Sequence, residues 1–90
     1  MNEDRWQTMP FNLQMANIAS EIHKAINRTN EKETKLARKH IELALDMLSM
    51  SKSKRNIYEL SRLYEFIAGS FINPDISHLK EAEKYSLSFY

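Results

Sequence analysis

Ninety residues carry thirteen Lys and Arg against twelve Asp and Glu, a formal charge of +1, and no cysteine. That balance lacks the basic excess of a phosphate-binding protein, and without thiols there is neither a disulfide framework nor a thiolate metal site. The length fits one domain, 1–90, and a domain so small buries only about 60 to 65 per cent of the surface its unfolded chain exposes, so a partner subunit would add stability.

The first residues, Met1-Asn2-Glu3-Asp4-Arg5-Trp6, are charged where a secretion signal carries its apolar core. No stretch approaches the roughly 18 apolar residues that span a bilayer, and the expectation is a cytoplasmic protein with no membrane partner. One Gly and two Pro leave little punctuation, and the apolar spacing is near 3.6 rather than 2, so the predicted class is all-α. Three main helices are expected at about 10–28, 31–50 and 54–72, with a short C-terminal fourth at about 77–89. Short connections predict that consecutive helices pack as an antiparallel up-and-down bundle.

The first helix is expected to start at Pro10, which a first turn tolerates, with Thr8 or Met9 at the cap and Trp6 preceding it. Spacing at 100° per residue gathers Phe11, Met15, Ile18, Ala19, Ile22, Ala25 and Ile26 into one arc, opposite Asn17, Lys24 and Arg28. The break follows at Arg28-Thr29-Asn30, where Asn30 and Glu33 read as a capping box for the second helix.

The second helix is too apolar for a surface helix. One stripe runs through Ala37, Ile41, Ala44, Leu45 and Leu48, and Leu36, His40, Leu43, Met47 and Met50 fill the neighbouring arc. Roughly 220° of its circumference is apolar, twice the stripe that a single neighbour requires. Helices on either side account for part of that width. The remainder predicts a second subunit or another protein at Leu36, His40, Leu43, Met47 and Met50, joined by Tyr58 and Phe66 of the next helix.

Ser51-Lys52-Ser53-Lys54 reads as the next turn, with Ser51 or Ser53 as N-cap. Ile57, Leu60, Leu63, Tyr64, Ile67, Ala68 and Phe71 then form a core face, and Gly69 inside that helix predicts close helix approach. Asn73-Pro74-Asp75 stops it. Asp75 or Ser77 caps the last helix, which sets Leu79, Ala82, Tyr85, Ser86, Phe89 and Tyr90 on one side.

Few residues invite chemistry. A carboxylate-bridged di-metal bundle needs Glu-x-x-His pairs on two helices. The three histidines, His23, His40 and His78, supply none: His78-x-x-Glu81 has the reverse order, and Glu21 and His23 lie about 160° apart on a helix. No metal or cofactor is expected. Without Cys, a Gly-rich phosphate loop or a strand-to-helix nucleophile elbow, no enzyme is expected either. Gln14, Asn17, Ser20 and Glu21 form a polar run on the first helix, read either as hydrogen bonding across a helix interface or as a binding site. Lys52, Lys54 and Arg55, with Arg62, form a local basic patch, which offers a secondary expectation of nucleic-acid binding beside the ordinary one of cations at a helix C-terminus.

Two resemblances follow from these residues. The run Trp6-x-x-Met9-Pro10, then Gln14-Met15-x-Asn17-Ile18-x-Ser20-Glu21, with Ala37-Arg38-x-x-Ile41-Glu42-x-Ala44-Leu45-x-x-Leu48, resembles a group of short prokaryotic helical-bundle proteins over most of the chain. It implies a helical bundle and carries no activity. The second half is similar to HEPN domains, helical bundles that include toxin RNases and companions of nucleotidyltransferases, and this resemblance implies an antitoxin or transferase companion. The HEPN RNase motif sets four to six residues between an Arg and a His. Arg38 is too close to His40, while Arg28 and His40, and Arg62 and His78, are too far apart. The leading expectation is a non-enzymatic, self-associating bundle, a homodimer.

Overall fold

A computed structural model describes residues 2–55 and 57–89. Every regular element among them is an α-helix: α1 Glu3–Gln7, α2 Phe11–Asn30, α3 Thr34–Lys54, α4 Tyr58–Ala68 and α5 Ile76–Leu87. The all-α class holds, with five helices rather than four.

The extra helix is α1. Asn2 caps it by accepting from the amides of Asp4 and Arg5, and Glu3 and Asp4 place negative charge in its first turn, where the helix dipole favours it. Thr8 closes α1 as its C-cap and does not open α2; the N-cap of α2 is Pro10, with no side-chain bond. Five residues do not sustain a helix alone, so packing of the fully buried Trp6 is what holds this one.

The turn after α2 also differs from expectation. Asn30 is the last residue of α2 and caps nothing. The chain reverses through a Schellman motif instead: the Glu33 amide donates to Arg28 O at 2.8 Å, and the Lys32 amide to Thr29 O at 3.0 Å. Lys32 takes the left-handed position at φ 61°, where glycine is usual.

The next turn lies further along than 51–54. Helix α3 continues through Lys54, so neither Ser51 nor Ser53 is an N-cap, and Ile57 fills that position for α4 without a side-chain bond. Contacts of Ser51 and Ser53 with α1 explain the extension, as described below. Asn56, within the third expected helix, and Tyr90, expected along one side of the last, lie outside the described residues. Helix α4 stops at Ala68, with Gly69 as its C-cap at φ −62°. A Cβ at Gly69 meets only the carbonyls of Glu65 and Phe66 at 3.6 Å, ordinary contact, so no helix approaches there and the expected close packing is absent. Asp75 caps α5 as expected, accepting from the amides of Ser77 and His78.

Helix α2 packs against α3 and α5, α4 joins α3 to α5, and α1 lies on α3. The core between them contains Met15, Ile18 and Ile22 from α2, Ile41 and Leu48 from α3, Leu60 and Ile67 from α4, and Leu79 from α5. The arc predicted for α2 is buried apart from Phe11, which is half-buried. Tyr85, placed on the inner side of α5 by spacing, is exposed. The radius of gyration is 12.1 Å. No helix of the described residues is long and apolar enough to cross a membrane.

Candidate functional site

The polar run of α2 meets the end of α3 in a closed buried circuit. Trp6 Nε1 donates to Ser51 Oγ at 3.0 Å, Ser51 Oγ donates to Gln14 Oε1 at 2.8 Å, and Gln14 Nε2 donates to the carbonyls of Trp6 at 2.8 Å and Met9 at 3.2 Å. Each buried polar atom is matched, so the circuit joins α1, α2 and α3 without an unpaired group. Beside it, Gln7 Nε2 donates to Met50 O at 2.6 Å and to Ser53 Oγ at 3.3 Å, which fastens α1 to the last turns of α3. Asn17 turns back to its own helix and donates to Leu13 O at 2.8 Å. Gln14 and Asn17 thus make structural bonds, while Ser20 is exposed.

Glu21 crosses to α3. Its Oε2 lies 2.8 Å from His40 Nδ1, and its Oε1 accepts from Lys24 Nζ at 3.2 Å. His23 pairs in the same way with Glu83 at 2.9 Å, and His78 sets its ring edge-to-face on Phe66, with centroids 5.0 Å apart. The three histidines are therefore engaged separately, and no three His, Cys, Asp or Glu side chains gather among the described residues.

The outer row of α3 is partly covered. Met47 is buried in the chain's own core, Met50 is half-buried against it, and His40 is half-buried beside Glu21. Leu36 and Leu43 remain 39% and 41% exposed. An exposed leucine alone is unremarkable on a protein surface, but two in line with a buried methionine form the open part of an otherwise used stripe.

Exposed aromatics mark a second surface. Arg62, Leu63, Phe66, Glu81, Ala82 and Tyr85 line a cleft of about 140 Å³ between α4 and α5. Tyr58 stands beside it, 70% exposed, and its hydroxyl accepts from Arg62 at 3.3 Å. That hydrogen bond raises the guanidinium pKa above its ordinary value. Tyr58 and Phe66 lie on α4, Leu36 and Leu43 lie on α3, and of the seven residues expected at one interface Met47 is buried in the chain's own core.

The basic residues rest on rings. Lys52 Nζ lies 4.8 Å from the centre of Tyr64, and Arg55 lies 4.4 Å from that of Phe11, both within cation–π range. Phe11 continues edge-to-face to Phe89, and Phe89 to Tyr85. Lys54 and Arg55 border a groove with Gln7, Met9, Phe11 and Gln14, whereas Arg62 belongs to the α4–α5 cleft and is separate from them.

Sequence reasoning missed the role of Trp6 and the exposure of Tyr85. A buried indole N–H needs an acceptor, but nothing local to Trp6 points to Ser51, 45 residues away. No family model, curated protein or solved structure matches the chain.

Proposed function

We propose that this chain is a non-enzymatic helical bundle that acts by protein association, with a second copy of itself as the partner. The observation that carries the reading is the open row on α3, where Leu36 and Leu43 lie exposed in line with Met47, which the chain buries itself. Covering such a row by a partner adds apolar burial that a ninety-residue domain lacks. Most buried polar side chains support the non-enzymatic part, since Trp6, Gln14, Ser51 and Ser86 spend their donors on one another or on backbone, while Ser70 Oγ is buried without a partner among the described residues.

The proposed layout is an antiparallel up-and-down bundle. It is supported by pairs that join the start of one helix to the end of a neighbour: Gln14 of α2 with Ser51 of α3, Arg38 of α3 with the carbonyl of Phe71 just after α4, and Phe11 of α2 with Phe89 just after α5. The cysteine-free composition suits the reducing cytoplasm, which the reading takes as the protein's location. Sedimentation equilibrium over about a thousandfold range of concentration tests the association. A mass rising from 10.6 kDa toward twice that value supports it, and a constant 10.6 kDa overturns it.

A second reading, a HEPN-like companion that binds RNA, is favoured by the pairing of Lys52 and Arg55 with Tyr64 and Phe11. Cations beside rings are the combination that holds single-stranded nucleic acid. It requires binding of labelled single-stranded RNA that weakens steeply with salt and is lost in Lys54→Glu/Arg55→Glu. No binding at low salt removes it.

A further inference from the structure

We infer that the open row on α3 is half of a two-fold contact in which α3 of one copy lies antiparallel to α3 of another, with the axis passing between His40 and Leu43. This rests on the association reading above and gives it a geometry. Leu36, His40, Leu43, Met47 and Met50 recur at alternating steps of four and three residues, the alternation that seats one helix along another. One residue further on, Ala37, Ile41, Ala44, Leu48 and Ser51 repeat the same steps, and all five are buried. Helix α3 therefore carries two adjacent seams. The inner seam is consumed by the fold, and the outer one is closed at Met47, half-closed at His40 and Met50, and open at Leu36 and Leu43.

The charges beside the outer seam specify what covers the rest. Lys39 and Asp46 flank Leu43 on its outer side, both exposed. The ion pairs among the described residues are made by other side chains, so both charges are free to face a neighbour. In a two-fold contact, if residue i meets j then j meets i. An antiparallel pairing centred between His40 and Leu43 puts Lys39 on the same side of the contact as Asp46 of the second copy, about 3 Å apart along the axis, twice. A parallel pairing puts the two copies of Lys39, and of Asp46, on opposite sides of the contact, toward Ala44 and Ser51 of the other copy, where neither meets an opposite charge. The pattern is self-complementary in one orientation, and that is the reason to assign the face to a second copy of this chain.

Charge exchange tests the geometry. Lys39→Glu and Asp46→Lys each set like charges opposite one another at both ends of the contact, and each is expected to raise the dimer Kd by about tenfold or more at low salt. An equimolar mixture of the two variants regains the dimer, and so does the Lys39→Glu/Asp46→Lys double variant, with circular dichroism unchanged throughout because both positions are exposed. If the protein dimerises but the single variants dimerise equally well, or the double variant is no better than the singles, the antiparallel α3 contact is wrong and association uses another face. A protein that stays monomeric up to about 1 mM overturns the association reading itself, and this geometry with it.

Discussion

At Lys32 the backbone stands at φ 61°, and the side chain gains no ion pair there to offset the strain. A left-handed conformation costs a non-glycine residue roughly 1–2 kcal/mol, part of which glycine returns through its freer unfolded state. Lys32→Gly is therefore expected to stabilise the protein by about 0.5–1 kcal/mol, seen as a rise of several degrees in melting temperature. Ser51 is the opposite case. Removing its hydroxyl leaves Trp6 Nε1 and Gln14 Oε1 buried without partners, so Ser51→Ala should cost about 2–3 kcal/mol in urea denaturation. A loss within about 0.5 kcal/mol would mean that the circuit contributes little. The sequence made Gln14 legible as a residue that bonds across an interface, because it borders the apolar arc of α2. Ser51 was illegible, because a serine beside lysines reads locally as a cap.

Among the elements, α1 depends most on the others. Trp6 is its single buried residue, and Trp6→Ala is expected to cost about 3–5 kcal/mol and to release α1, measurable as lost amide protection over residues 3–7. Helix α3 offers a contrast between two positions in one row. Met47→Glu places a carboxylate in the core and should abolish the cooperative unfolding transition, whereas Leu43→Glu, at an exposed position, should leave the fold intact and abolish self-association. The inward face of α2 was legible as a periodic stripe, and so was that of α4 apart from Ile57, which caps the helix and is exposed. The junction of α3 and α4 was not, since Ser51 and Ser53 serve α1 rather than ending a helix. Gly69 likewise reads as a packing notch from within a presumed helix and proves to be its terminus.

For the molecule as a whole, association links stability to concentration. The wild-type melting temperature is expected to rise with protein concentration, and that of Leu43→Glu to stay constant, in scanning calorimetry over about two decades of concentration. A wild-type transition that does not move removes the dimer from the account of stability. Periodicity and composition by themselves determined that this chain is helical, where the inner arc of α2 lies, and that α3 is apolar over more than one stripe. These follow from the 100° step of a helix, which any residue obeys locally. Tertiary structure alone decided that Trp6 and Gln14 close on Ser51, across 45 and 37 residues, and that α1 forms at all. It also decided which members of the outer row of α3 are used up: Met47 is covered by the fold, while Leu36 and Leu43 are left open. Burial depends on which distant segment arrives at a surface, and the pattern of one helix records only the width of that surface.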